Sequence, residues 1–136
     1  MDDPLARLPG YALRRAANAM MSELSSRLAD IDMRVTDASI LMLVGVRRDV
    51  TASQIGRTLD IQRANMVPLL NRMEAAGLIE RVPLDRKSLA VVLTPTGFER
   101  LEQVEEITSN FEEELMARVP QEYRSGFLPA LNSLWR

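Results

Sequence analysis

The 136-residue chain contains neither cysteine nor histidine. The lack of cysteine excludes disulfide frameworks, thiol redox sensors and thiolate nucleophiles. The lack of histidine also excludes Cys/His zinc sites, Ser-His-Asp triads and Cys-His pairs. An enzyme with this sequence would have to rely on carboxylates, lysine, serine or tyrosine, and we expect no metal ion or cofactor.

Long apolar runs are absent as well. No stretch approaches the roughly 18–20 consecutive apolar residues of a membrane-spanning helix. The acidic N-terminus, residues 1–4, lacks the basic start and apolar run of a signal peptide, so we expect a cytoplasmic protein. Aromatic residues make up only 4% of the chain, but 46% of the residues are hydrophobic, which suffices for a single domain with a mainly aliphatic core.

Lysine is nearly absent, since Lys87 is the only one among 17 basic residues. The charges are unevenly distributed, although the net charge is only −2. Residues 47–87 hold eight basic and five acidic side chains, residues 1–46 hold five and six, and residues 88–136 hold four and eight. The central positive excess suits nucleic-acid binding, but on its own it is better explained as a solvated mixed-charge surface, and it becomes informative only with a motif.

Apolar residues that recur three or four positions apart predict long helices near both ends of the chain, over residues 8–31 and 95–118. A Thr-Pro pair, which is typical of a helix start, precedes the second of them. Pro120 is predicted to begin a last helix that bends at Pro129.

Three shorter helices are predicted in the middle of the chain. The first covers residues 37–46, with Thr36 as its N-cap. The second follows a capping box at residues 51–54, in which Thr and Gln side chains satisfy backbone donors reciprocally. The third covers residues 62–76, and we expect its buried face to consist of Val67, Leu70 and Met73.

Gly77 is a natural residue to follow the end of the third helix. Beyond it the apolar period changes to two, which predicts strands over residues 78–82 and 89–93 joined by a polar tip. The order is therefore α-α-α-α-β-β-α-α, a mainly α fold with a small β-hairpin. Short helices followed by a hairpin indicate a winged helix-turn-helix, in which one helix enters the DNA major groove and the hairpin reaches the backbone or minor groove beside it.

The chain resembles the multiple-antibiotic-resistance regulator (MarR) family of bacterial transcription factors over nearly its whole length. The similarity lies in four stretches that occur in order and at the right spacing: TASQIGRTL at 51–59, LLNRMEAAGLIER at 69–81, DRK at 85–87 and LTPTG at 93–97. It implies a homodimer built from the terminal helices, which binds a pseudo-palindromic operator in double-stranded DNA. It also implies a small-molecule pocket between the dimerisation and DNA-binding regions. We expect a repressor released by an effector such as an aromatic acid or its CoA thioester.

On this interpretation, residues 36–94 form a DNA-binding lobe, and residues 8–31 with 95–136 form a dimerisation lobe. The apolar stripe of the first helix is wider than one partner element needs, which supports burial against a second copy. The candidate interface anchors are Leu13, Leu128, Leu131, Leu134 and Trp135.

Arg63 and Asn65 are the leading candidates for base contacts, because both lie in the first turns of the predicted recognition helix. Arg can bond guanine O6 and N7 bidentately, and Asn can bond adenine in the same way. Gln62 could assist them. Met66 could contact a thymine methyl group, although packing is an equal alternative. Pro68 removes a helical donor, so we expect a bend in this helix or a later start.

At the hairpin tip, the resemblance implies an Asp that orients an Arg into the minor groove, two positions further on. Asp85 matches this pattern, but Lys87 occupies the Arg position and Arg86 lies between them. Because Arg and Lys differ in geometry and hydration, the sequence leaves open which cation enters the groove.

Four further residues are candidates for phosphate contacts, which position a protein on DNA without specifying a sequence: Arg47, Arg48, Thr51 and Ser53. For Arg57 and Arg72 the sequence leaves phosphate contacts and structural ion pairs as equal alternatives. For an anionic effector the candidates combine cations with an amide and an adaptable methionine, which are Arg14, Arg15, Asn18 and Met42.

Two other functional classes compete with this interpretation. A winged-helix module for protein association would use the acidic face of the long helix as its partner surface and would not bind DNA. A small enzyme would need paired carboxylates such as Glu105 and Glu106 or the run at 112–114. These carboxylates are better explained as a solvated helix face, and we expect no enzymatic activity.

Overall fold

A computed structural model of the chain describes residues 1–136. It contains a short 3-10 helix at Pro4–Arg7, which the sequence patterns do not predict, followed by six α-helices and two strands. These are α1 (Pro9–Ala29), α2 (Val35–Val44), α3 (Ala52–Leu59), α4 (Arg63–Ala75), β1 (Ile79–Pro83), β2 (Leu89–Leu93), α5 (Pro95–Arg118) and α6 (Gln121–Asn132). The predicted order of elements is confirmed. No helix is long and apolar enough to cross a membrane.

The short helix α2 lies at the centre of the core and packs against α1, α3, α5 and β2. Its side chains Ile40, Leu41 and Val44 are almost completely buried. Leu28 reaches this core from the end of α1, and Val104 reaches it from α5. The core therefore joins the long terminal helices to the small helices and the hairpin.

The predicted bounds of α2 are wrong at both ends. The helix begins at Val35 with Arg34 as its N-cap, so Thr36 lies inside the first turn. The start is stabilised by Asp37, whose carboxylate accepts a hydrogen bond from the backbone N–H of Arg34 at 3.3 Å. The helix ends at Val44 rather than near residue 46.

The hairpin pairs β1 with β2 antiparallel, in a register that places Ile79 opposite Leu93. A third segment joins it, because the backbone N–H of Val91 donates to Val50 O at 2.7 Å. The hairpin follows α4 through Gly77, whose φ of 76° lies in the left-handed region that glycine adopts without strain. This confirms the predicted role of Gly77 in ending the helix.

The junction between the hairpin and α5 is built around Thr94. Its hydroxyl accepts from the backbone N–H of Gly97 at 3.0 Å and donates to the backbone oxygen of Gly77. Gly97 is required here, since a Cβ at this position would lie 2.1 Å from the backbone oxygen of Leu78. The Thr-Pro start of α5 is confirmed.

Candidate nucleic-acid interface

The helix α3 begins at the predicted capping box. The backbone N–H of Gln54 donates to the Thr51 hydroxyl at 3.3 Å, and the backbone N–H of Thr51 donates to the Gln54 side-chain oxygen at 3.0 Å. These reciprocal bonds satisfy donors that a helix start leaves unpaired. The hydroxyl oxygen of Thr51 is therefore already an acceptor, whereas Ser53, two residues further on, is exposed.

A tight turn connects α3 to α4. Asp60 ends α3 with φ 54° and ψ 48°, a left-handed conformation that Asp tolerates better than most residues. The chain then folds back so that the backbone N–H of Ile61 donates to Gly56 O at 2.8 Å. A Cβ on Gly56 would lie 3.1 Å from the backbone oxygen of Ile61, so this close turn favours glycine.

The helix α4 presents its first turn to solvent. Gln62 is the N-cap, and Gln62, Arg63 and Asn65 are all exposed. Neither Arg63 nor Asn65 has a side-chain hydrogen bond or ion pair within the chain. Their guanidinium and amide groups are therefore free to bond an external partner.

The buried face of α4 differs from the predicted one. Met66 is only 4% exposed and belongs to the core, whereas Val67 is 55% exposed. Leu69, Leu70 and Met73 complete the buried face. Of the two alternatives that the sequence left for Met66, its burial supports packing rather than a contact with a thymine methyl group.

Pro68 lies within α4 without delaying its start. The helix runs from Arg63 to Ala75, so of the two expected alternatives, a bend or a later start, the later start does not occur. Pro68 is exposed, and its ring occupies the position of a donor that would have bonded the carbonyl of Ala64.

Asp85 organises the hairpin tip through the main chain. Its Oδ1 accepts from the backbone N–H groups of Lys87 at 2.8 Å and Ser88 at 2.9 Å. These bonds, that from Lys87 foremost, lower the pKa of the Asp85 carboxyl below its usual value. The side chains of Arg86 and Lys87 are exposed and form no ion pair within the chain.

A cleft with a volume of about 720 Å³ lies between α3, the start of α4 and the hairpin. It is here called the hairpin cleft. Lys87 lines it, but Asp85 and Arg86 do not. Of the remaining sequence-predicted residues, the cleft brings together Thr51, Ser53, Gln62, Arg63 and Met66. One wall thus carries Gln62 and Arg63, and the other carries the wing cation Lys87. Asn65 is exposed but does not line the cleft.

The cleft also contains two cations that the sequence analysis did not assign to it, Arg57 and Arg81. Arg81 donates to the Asn71 side chain at 2.9 Å, while its Nε is buried without a hydrogen bond and lies 3.7 Å from Glu74. The alternation of β1 places Arg81 on the same face as buried Ile79, which is a signal that could have indicated its position beside α4.

The two arginines after α2 differ in their environments. Arg47 donates through Nε and Nη2 to the two carboxylate oxygens of Asp49, both at 2.8 Å. This pairing lowers the pKa of the Asp49 carboxyl and raises that of the Arg47 guanidinium. Arg48 is exposed and has no acidic partner, so its charge is free. Arg72, by contrast, is a structural ion-pair partner of Asp37 at 2.6 Å.

Three of the candidate effector residues lie on α1, and the fourth, Met42, lies on α2. Arg15 pairs with Asp3 at 2.7 Å, and Arg14 lines a shallow depression with Tyr11. Asn18 is exposed on α1, and Met42 packs half-buried against the core. No group of three or more acidic side chains is arranged to hold a metal ion.

The chain is similar to known regulators in sequence and in structure. The family model described as "MarR family" matches residues 31–88. A protein of Thauera aromatica described as a putative transcriptional regulatory protein for the hcr operon is 24% identical over 131 residues, covering 93% of this chain and 78% of its own length.

Two solved structures of the transcriptional repressor CouR superpose on nearly the whole chain. The complex with a 23-mer DNA duplex is 28% identical with a TM-score of 0.88, covering 97% of this chain and 95% of that chain. The complex with p-coumaroyl-CoA is 25% identical with a TM-score of 0.87, covering 100% and 97%. The relatives are transcriptional regulators and not enzymes. The mainly helical fold with its hairpin and these comparisons agree that the chain is similar to winged helix-turn-helix transcriptional regulators of the MarR family.

Proposed function

We propose that the protein binds double-stranded DNA sequence-specifically through the hairpin cleft and the first turn of α4. The observation that carries this proposal is the position of Arg63, which has no partner within the chain, opposite the free cation Lys87 on one concave surface. Asn65 is exposed beside Arg63 in the first turn of α4. Arg63 and Asn65 would bond base edges in the major groove, with Gln62 beside them. Lys87 would approach the adjacent minor groove or backbone, while Arg86, outside the cleft, would contact phosphate.

The functional unit in this proposal is a homodimer. Helix α6 has no buried residue, and α1 has none before Leu28. Helices of this kind are not stable without tertiary packing, so their apolar side chains need a partner. A second copy would cover the exposed groups Tyr11, Leu13, Tyr123, Leu128, Leu134 and Trp135. Two-fold symmetry would then place two α4 helices about one DNA turn apart, roughly 34–36 Å, on a pseudo-palindromic operator.

In this dimer each chain would have two lobes. Residues 36–94 would form the DNA-binding lobe, and residues 8–31 with 95–136 the dimerisation lobe. CouR is described as a repressor bound to DNA and, separately, bound to p-coumaroyl-CoA. By analogy, this protein would act as a repressor that an aromatic acid or its CoA thioester releases. Arg14, Arg15, Asn18 and Met42 would belong to an effector site that the second copy completes.

The decisive experiment measures binding of the full chain to the DNA upstream of its own gene, by fluorescence anisotropy over a series of salt concentrations. We expect binding that weakens steeply with salt, because phosphate contacts release counterions. Arg63→Ala should relax the preference for the operator over scrambled DNA, whereas Lys87→Ala should weaken both and reduce the salt slope by about one. Arg7→Ala is the matched control, since Arg7 is exposed and lies outside the cleft.

The proposed dimer and the proposed effector response are tested separately. Sedimentation should give twice the chain mass, and addition of aromatic acyl-CoA thioesters should release the bound operator. If no upstream fragment is bound even at low salt, the DNA-binding proposal is wrong, and the alternative of a protein-association module gains support.

A further inference from the structure

The outward face of α4 carries one apolar side chain that packing does not explain. Val67 is 55% exposed, although its neighbour Met66 is almost completely buried. Val67 also lines the hairpin cleft together with Arg63. An exposed valine on the surface that carries Arg63 is therefore available to an external partner.

The position of Val67 relative to Arg63 is defined by the helix. The two residues are four positions apart in α4, so their Cβ atoms lie on the same face about 5–6 Å from each other. One helical turn rises about 5.4 Å, and stacked base pairs are separated by about 3.4 Å. Two side chains one helical turn apart can therefore contact base pairs that are at most about two positions apart in the DNA.

The chemistry of the major groove offers one apolar partner for such a side chain. The thymine C5-methyl group is the apolar feature that distinguishes one base edge from the others. Valine suits this contact because its side chain has one strongly preferred rotamer in a helix and loses little freedom on binding. Its two methyl groups offer no hydrogen bond that a different base could use.

We infer that Val67 is a specificity-determining residue, which contacts a thymine methyl group in each operator half-site, within about two base pairs of the base that Arg63 bonds. This inference rests on the proposed function of the hairpin cleft. It assigns the thymine contact to Val67 in place of Met66, whose side chain is enclosed by the core.

The test is uracil interference on an upstream fragment that the full-length protein binds. Uracil lacks only the methyl group and pairs as thymine does. For the wild-type protein we expect one thymine in each half-site at which uracil weakens binding about fourfold, the effect of burying one methyl group. Methylation of guanine N7 should interfere within about two base pairs of it. In Val67→Ala this uracil effect should disappear while interference at the guanine remains.

Val46→Ala is the matched control, because Val46 is also exposed but does not line the hairpin cleft. It should retain the wild-type uracil effect. Retention of the full effect in Val67→Ala, or its absence from the wild type beside the interfering guanine, would overturn the inference while leaving the proposed function intact. If the wild type binds no fragment at low salt, both are overturned.

Discussion

Arg72 Nη2 lies 2.6 Å from Asp37 Oδ1, and this ion pair joins the second half of α4 to the first turn of α2. The Asp37 side chain is only 10% exposed, whereas that of Arg72 is 45% exposed. The carboxylate also caps α2 through the backbone N–H of Arg34. One buried acid therefore fixes the start of the central helix and holds α4 against it.

Removing Arg72 should destabilise the fold. Arg72→Ala leaves the nearly buried carboxylate of Asp37 without its charged partner, and we expect the free energy of unfolding to fall by about 1–3 kcal/mol. Urea unfolding followed by circular dichroism measures this change. Arg57→Ala serves as the control, since Arg57 is exposed and has no ion pair. An equal loss in both variants would show that the pair with Asp37 is not the cause.

The hairpin tip should loosen in acid. The pKa of Asp85 is lowered in the folded chain, so its bonds to the Lys87 and Ser88 N–H groups are fully present above the unfolded pKa of about 3.9. They are lost as pH falls through the lowered folded pKa. Amide resonances of Lys87 and Ser88 should shift together over that acidic range. In Asp85→Ala the same resonances should be insensitive to pH there, and a shift that persists would contradict the assignment.

Arg48 should contribute more to DNA affinity than Arg47, on the proposed function. The guanidinium of Arg47 is already neutralised by both carboxylate oxygens of Asp49, whereas that of Arg48 is free. Arg48→Ala should therefore reduce the salt slope of operator binding by about one, and Arg47→Ala by less. Asp49→Ala releases Arg47 and should strengthen binding to operator and scrambled DNA alike. The proposal fails if Arg47→Ala has the larger effect.

Replacing Pro68 should stabilise the protein. Pro68 is exposed inside α4 and withholds one backbone donor, so Pro68→Ala restores a helical hydrogen bond. We expect a gain of up to about 3 kcal/mol, measured as a higher midpoint of urea unfolding. Pro95→Ala is the matched control, because proline at the first position of α5 is favourable and its removal should not stabilise. A Pro68→Ala variant no more stable than wild type would indicate that Pro68 is accommodated without strain.

The elements that sequence predicts well are those whose signals are satisfied locally. Thr51 and Gln54 cap each other within one turn, and Gly77 adopts a conformation that few other residues accept. Thr94 likewise bonds a backbone N–H three residues away. Such features depend on near neighbours in the chain, and their outcome follows from the residue types alone.

The features that sequence predicts wrongly depend on distant residues. The start of α2 is held by Asp37, whose partner Arg72 lies 35 positions further along the chain. The choice between Met66 and Val67 for the core depends on α3. Met66 packs closely against α3 there, since a Cβ added to Gly56 would lie 3.5 Å from Met66 Cγ, in ordinary van der Waals contact. The helical period alone does not decide which of two adjacent apolar residues is buried, because that depends on the helix packed beside them.

The candidate site likewise contains features that depend on near neighbours in the chain and features that do not. The capping box and the polar start of α4 could be located from sequence, but the position of Lys87 inside the hairpin cleft and of Arg86 outside it follows from the conformation of the tip. The expected effector residues are a different case. Arg14, Arg15 and Asn18 are exposed on α1, whereas Met42 is half-buried on α2. On the proposed function, a second copy would complete their arrangement.

The Thr94 hydroxyl bonds both Gly77, two residues after the end of α4, and Gly97, in the first turn of α5. The hairpin, the C-terminal end of α4 and the base of α5 are thereby clamped into one stiff piece. The 24 residues of α5 make a lever about 36 Å long, for which a tilt of about ten degrees displaces one end by about 6 Å relative to the other. A small change of angle far from the hairpin is thus magnified at the surface that α4 presents. In the proposed dimer, the distance between the two α4 helices would therefore respond sensitively to how the long helices pack.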